Sequence, residues 1–310
     1  MTAFGDRLAD AVRRVGNPVV VGLDPRWDEL PDNVKAGCDA TDPRQRAAAF
    51  ARFCHTIIDV VAPRVSAVKP QVAFFEQLGP AGMQALAETI RHARQCGLLV
   101  IADGKRNDIG STAEAYADGW LGDQSCWQAD ALTVSPYLGS DSLDPFVTTA
   151  RARGAGLFVL VKTSNPGSGQ FQDLTADGRP VYRHVAEHLE RLATDTAGPS
   201  GYGAIGAVVG ATYPAQLHEL RAAMPHCWLL VPGYGSQGAT ARDVAGAFDA
   251  QGLGAVINNS RGIIFAHRRR EYADRFAAAQ WADAVASATD DMILQLRADT
   301  PASCLGVATR

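Results

Sequence analysis

LLVIADGKRNDIGSTAEAYA, residues 98–117, sets the architecture of this chain. Its apolar run ends abruptly in Asp103, Lys105, Arg106 and Asp108, and Ser111 and Thr112 then signal a helix start. The reading is a buried strand that delivers four charges to one edge of a sheet, with a helix directly behind it. In parallel α/β folds that edge faces the ligand crevice, because chemistry gathers at strand C-termini. Two carboxylates and two cations within six residues are expensive to bury unless they neutralise one another or a ligand. A solvated charged turn is the plainer alternative.

The same strand–helix alternation runs through the rest of the chain. Apolar runs rich in β-branched residues occur at 18–23, 65–69, 98–102, 131–134, 157–161, 205–209, 228–231 and 255–258. They are unbroken rather than alternating, as expected for strands covered on both faces. Amphipathic segments separate them at 43–61, 79–95, 112–123, 140–153, 180–194, 214–223 and 239–250, and a pair at 270–288 and 290–298 closes the chain. Eight β/α units with no break in composition predict a single (β/α)8 barrel, the TIM-barrel architecture, over residues 1–310. It carries an N-terminal helix within residues 1–17, extra C-terminal helices, and a frayed tail over 300–310. Two long loops, 24–42 and 165–179, stand out, since loops of that length in a compact domain tend to be functional.

Composition narrows the function. Apolar residues make up 47% of the chain, ample for a full core, and the net charge is −4 with no long basic run, which argues against a nucleic-acid surface. Arg268, Arg269 and Arg270 form the densest basic spot and read as a helix cap or a solvent-facing triplet. No apolar stretch approaches a membrane span, and the N-terminus lacks the apolar core of a signal peptide. The six cysteines contain no C-x-x-C pair, so the chain reads as reduced and cytoplasmic without a zinc framework; Cys54, Cys96 and Cys126 read as small core residues.

The strand ends carry a polar set: Asp24, Lys69, Asp103, Lys105, Lys162 to Asn165, and Asn258 to Arg261. Lys69, at the end of VSAVK, wants a carboxylate or a ligand; an ion pair with Asp24 or Asp103 is its purely structural explanation. PGYGSQG holds a G-x-G-x-x-G pattern at Gly233, Gly235 and Gly238, which invites a dinucleotide-binding reading. It comes too late in the chain, and Asp249 falls at a helix end rather than a strand end. A barrel phosphate site after strands seven and eight explains it better, with Arg261 offering a fork of donors to phosphate oxygens. His184 and His188 stand one helical turn apart, yet a zinc site needs more ligands than two, so they read as an exposed helix face.

ADGKRNDIGST resembles the D-x-K-x-x-D-I signature of the orotidine 5′-monophosphate decarboxylase family. GLDP at 22–25, VKPQVAFFE, TVSPYLG, VKTSNPGS, PGYGSQG and NNSRGI extend the resemblance over nearly the whole chain, toward the longer bacterial subfamily. Asn107 departs from it, standing where that subfamily has Gly. The resemblance implies conversion of orotidine 5′-monophosphate to uridine 5′-monophosphate with loss of CO₂, the last step of de novo UMP synthesis, with no metal and no organic cofactor. It implies that Lys105 stabilises and protonates C6 of the pyrimidine, that Asp103 lies beside the substrate carboxylate, and that Lys69, Asp103, Lys105 and Asp108 form an alternating charge array. Asp24 and Lys69 match ribose-hydroxyl ligands, Ser164 a pyrimidine contact, Gln237 a bridge between base and phosphate, and Arg261 a phosphate ligand. Pro232 and Ser260 line the same pocket. Asp108, Ile109 and Thr112 match residues given to a neighbouring subunit's site, which implies a homodimer with shared active sites. The loop after Gln237 and the 165–179 segment are the moving parts it implies.

Two rivals remain at this stage. A metal-dependent sugar-phosphate decarboxylase or aldolase of the same superfamily shares D-x-K-x-x-D but wants an acidic metal ligand where this chain has Lys69-Pro70-Gln71. A non-catalytic nucleotide-binding barrel has no use for four costly charges.

Overall fold

The computed structural model describes residues 2–235 and 237–306. Eight strands close into a barrel: β1 (Val19–Leu23), β2 (Ala67–Pro70), β3 (Leu99–Arg106), β4 (Ala131–Val134), β5 (Gly156–Lys162), β6 (Ile205–Val209), β7 (Leu229–Val231) and β8 (Ala255–Asn259). Each pairs in parallel with its neighbours in sequence, and β8 returns to β1 with Val19 opposite Ile257. The apolar runs are continuous because both faces of the sheet are covered; Val19, Val20, Val21 and Leu23 are all fully buried.

The main helices are α1 (Phe4–Val15), α2 (Pro43–Val61), α3 (Gly79–Gln95), α4 (Gly110–Leu121), α5 (Ser140–Arg153), α6 (Val181–Thr194), α7 (Pro214–Ala223) and α8 (Trp281–Asp299). α2 starts where Asp42 caps the Arg44 N–H and Pro43 occupies the first turn. α1 closes the N-terminal mouth of the barrel. Its Phe4 ring meets Phe158 of β5 edge-on at 5.9 Å, and Trp228 Nε1 donates to the Gly5 carbonyl at 3.1 Å. With that end plugged, the strand C-termini form the open end.

The structure corrects several expected boundaries. β3 does not stop at residue 102 but runs to Arg106, through a register irregularity between Ala102 and Arg106. The helix expected over 239–250 is one turn, Ala241–Val244, followed by a 3-10 turn, Ala245–Ala247. The C-terminal pair breaks earlier than expected. A short turn, Arg270–Ala273, precedes the single long α8, and Tyr272 Oη donates to Asp291 Oδ2 at 2.9 Å across the bend. In one continuous helix those residues would lie about 28 Å apart at 1.5 Å per residue. The tail is not frayed over its described part: Pro301–Leu305 forms a 3-10 turn, capped by Thr300, with Ala302 buried. Residues 307–310 of that expected tail lie outside the described residues. Cys54 is buried as expected, but Cys96 is half-buried and Cys126 exposed. Among the described residues no helix is long and apolar enough to cross a membrane.

Candidate active site

The open end of the barrel holds a cavity of about 580 Å³. Asp24 from the end of β1, Lys69 from β2, Asp103 and Lys105 from β3, Ser164 after β5, Pro232 and Gln237 after β7, and Ser260 and Arg261 after β8 all line it. These nine sequence-expected residues come from six of the eight strands, so only the closed barrel brings them together. Asp108, Ile109 and Thr112 do not line the cavity of their own chain. Asp108 is half-buried and accepts the Ile109 N–H at 2.9 Å, while Ile109 and Thr112 are exposed at the start of α4.

Asp103 is the centre of the charge array. Its Oδ2 accepts from Lys69 Nζ at 2.5 Å and from Gln71 Nε2 at 3.0 Å. Its Oδ1 accepts from Lys105 Nζ at 2.6 Å and from Thr133 Oγ1 at 3.0 Å. Four donors fill the four acceptor positions of one carboxylate, so its orientation is fixed. Burial opposes ionisation of Asp103, but the ammonium groups of Lys69 and Lys105 outweigh it and hold the carboxyl well below the usual carboxylate range. Burial likewise opposes the charge on Lys69, and Asp103, with Asp24 behind it, more than restores it, so the ammonium titrates above its ordinary value. The structural explanation of Lys69 therefore holds, with Asp103 as partner, and the pair opens onto the cavity.

Backbone geometry sharpens the array. Lys105 sits at φ +45°, a left-handed conformation that non-glycine residues rarely adopt and that gathers at functional sites. Its N–H donates to Thr133 Oγ1 at 2.9 Å, so one hydroxyl braces both the strained backbone and Asp103. Gly22 is a close-approach residue: a Cβ there would stand 2.7 Å from the Ser260 Cβ, pushing the loop after β8 away from β1. Gly233, at φ +105°, allows the turn that leads to Gln237.

Gln71, Thr133 and Arg26 are cavity residues that the sequence reading missed. Thr133 was detectable as the one polar side chain in the ALTV strand; Gln71 lies just past the expected end of strand two. Three buried wall atoms, Asp24 Oδ1, Asn258 Oδ1 and Ser260 Oγ, have no hydrogen-bond partner among the described residues. Buried polar groups are normally paired, so these oxygens are available to the hydroxyls of a ligand.

Comparison with known proteins matches this geometry to a family. The model of the orotidine 5′-phosphate decarboxylase / HUMPS family matches residues 17–276. The chain belongs to that family. A Rhodopirellula baltica protein named orotidine 5′-phosphate decarboxylase is 56% identical over 301 residues, covering 96% of this chain and 100% of the relative. A Deinococcus radiodurans protein of the same name is 46% identical over 247 residues, covering 79% of this chain and 83% of its own length. The solved structure of Leishmania donovani OMP decarboxylase superposes with a TM-score of 0.73 at 34% identity, covering 96% of this chain and 98% of that one. Among the described residues one group brings three metal-ligand atoms together, Asp59, His92 and Cys96, and it lies on α2 and α3 rather than in the decarboxylase-family cavity. His184 and His188 form no such group; His184 Nε2 lies 2.8 Å from the Ala176 carbonyl oxygen instead.

Proposed function

We propose that the Lys69–Asp103–Lys105 array decarboxylates orotidine 5′-monophosphate to uridine 5′-monophosphate. The observation that carries this reading is Asp103, saturated by four donors between two ammonium groups on the wall of a cavity that ends in Gly-rich and arginine-bearing loops. When the C6–carboxylate bond breaks, CO₂ leaves and the bonding pair stays on C6. Lys105 places positive charge at that carbon as the negative charge develops, and then delivers a proton to it. An ammonium already in position needs no reorganisation during the reaction, and its attraction is greater in the transition state than in the substrate. Asp103 stands beside the substrate carboxylate and holds both lysines in place. Asp24 and Lys69 take the ribose hydroxyls, and Ser164 the pyrimidine. Pro232, Gln237, Ser260 and Arg261 form the phosphate end, whose binding energy organises the reacting end.

The active unit in this reading is a homodimer. Asp108, Ile109 and Thr112 lie outside their own cavity, and large apolar side chains are exposed on the adjoining segments: Ile109 before α4, and Tyr137 and Leu138 after β4. A second copy covering that face would carry Asp108 to the neighbouring array. The whole chain acts as one cytoplasmic domain in this reading.

The test is a spectrophotometric assay of the purified chain on orotidine 5′-monophosphate with and without a chelator. Turnover that is the same in both supports the cofactor-free reaction. Turnover abolished by chelator and restored by a divalent metal favours the sugar-phosphate type of chemistry, and binding without turnover favours the non-catalytic barrel.

A further inference from the structure

The outer helices α2 and α3 hold a cluster for which the decarboxylation site has no use. His92 Nε2 lies 2.6 Å from Asp59 Oδ1, and Cys96 Sγ lies 3.8 Å from the same oxygen and 3.9 Å from His92 Nε2. His92 and Cys96 are four residues apart at the end of α3, so they share one face; His55 and Asp59 repeat that spacing on α2. The His55 ring packs 4.5 Å from the His92 ring, and its buried Nε2 has no hydrogen-bond partner among the described residues. In a tetrahedral zinc site, with bonds of about 2.0–2.3 Å, ligand atoms stand about 3.3–3.6 Å apart. The sulfur is within a few tenths of an ångström of that spacing from both partners, and the His–Asp contact needs to open by about 0.7 Å.

We propose that Asp59, His92 and Cys96 bind a zinc-like divalent cation, as a staple between α2 and α3. The combination of thiolate, imidazole and carboxylate selects zinc over the oxygen-seeking magnesium and calcium. Binding displaces the Cys96 thiol proton, and any proton that His92 shares with Asp59, to solvent; the thiolate and the carboxylate then neutralise the dication. Burial and the neighbouring Asp59 charge keep the metal-free Cys96 protonated. The ion would join the crossovers that lead into β2 and β3, the strands that carry Lys69, Asp103 and Lys105.

The experiment strips the full-length protein with chelator and titrates it with Co²⁺, then with Zn²⁺. The expected result is one equivalent of Co²⁺ giving a near-ultraviolet thiolate-to-metal band and visible bands of a tetrahedral ion, displaced by zinc. Cys96→Ser should abolish the near-ultraviolet band, and His92→Ala should weaken zinc affinity at least about tenfold. Zinc at 100 times its Kd should lower the apparent unfolding constant about 100-fold in the native chain and have no effect on Cys96→Ser, with decarboxylation retained in both. Absence of the band overturns the proposal. So does a band that survives in Cys96→Ser, because the metal is then held by other thiols such as the exposed Cys126 or Cys304.

Discussion

Asp103 accepts four hydrogen bonds and has no acceptor position left for reorientation. Lys105 is the more exposed of its two cationic partners, so Lys105→Ala leaves the buried Lys69–Asp103 pair standing. The expected outcome is a melting temperature close to that of the native chain and a kcat reduced by at least about a thousandfold, since a preorganised charge and the proposed proton donor are lost together. Retention of more than about a tenth of kcat would assign the chemistry elsewhere. Asp103→Asn strands Lys69 as an unpaired buried cation and should destabilise the fold by about 3–5 kcal/mol near neutral pH. The sign of its pH dependence follows from the two shifts. The carboxyl is depressed in the folded state, so its contribution is present above the unfolded value near 3.9 and fades as the pH falls toward the folded value. The Lys69 ammonium is raised, so its contribution is lost only in strong base, above about pH 10.4. Denaturant unfolding of the two proteins should show the full stability gap from about pH 5 to 7, narrowing in base as the stranded Lys69 of the variant loses its proton, and a gap already closed at pH 6 contradicts the assignment. At the proposed phosphate end, Arg261→Ala would remove bonds worth roughly 1.5–3 kcal/mol each. A fall in kcat/KM of more than about tenfold is expected, and an unchanged value would put the phosphate elsewhere.

At the scale of elements, β5 ends in a second buried cation. Lys162 is fully buried, its Nζ 2.6 Å from Asp173 Oδ1 and 4.6 Å from the Tyr213 ring centre. Asp173 belongs to the long loop between β5 and α6, and its neighbour Gln172 bonds Thr163 and lines the cavity. Docking of that loop thus neutralises a charge the barrel has already buried. Asp173→Asn should cost roughly 2–3 kcal/mol in urea unfolding, whereas Lys162→Met combined with Asp173→Asn should recover most of it, because an apolar replacement leaves no orphaned charge. A double variant as unstable as the single one would show that the pair does not act as a unit. The alternation of elements was legible because parallel strands buried on both faces read as unbroken apolar runs, and α2, α3, α5 and α7 end where capping and turn residues place them. The end of β3 was not legible. Asp103 to Arg106 interrupt the apolar run, and their place in the strand depends on Thr133 of β4 and on partners from β2 that no local pattern reports. The bend before α8 was hidden for a similar reason: the polar, alanine-rich stretch has helical propensity throughout, and a tertiary contact, Tyr272 to Asp291, folds it back. At the site, Asp24, Lys69, Asp103 and Lys105 were legible as charges that end apolar strands, whereas Arg26 and Gln71, which lie beyond the strand ends, took their places from the closed barrel.

Across the whole molecule the strand ends on one side are polar and converge on a cavity, while Ile109 after β3 and Tyr137 and Leu138 after β4 expose apolar side chains. Tyr137 is 80% and Ile109 57% exposed, on loops that follow two adjacent strands, and contiguous apolar patches mark interaction surfaces. In the proposed closed two-fold dimer that face would be buried in both copies and each array would receive an Asp108 from its partner. The central claim is therefore one array, Lys69–Asp103–Lys105, completed across an interface and acting on orotidine 5′-monophosphate. It is tested most directly by co-refolding equal amounts of Lys105→Ala and Asp108→Ala, each inactive alone, and measuring decarboxylation of the mixture. In a mixed dimer one site carries both defects and the other neither; random exchange makes about half the dimers mixed, so activity should return to as much as about a quarter of the native level. No recovery, with subunit exchange verified by mass spectrometry, would show that Asp108 serves only its own chain and would contradict the shared array.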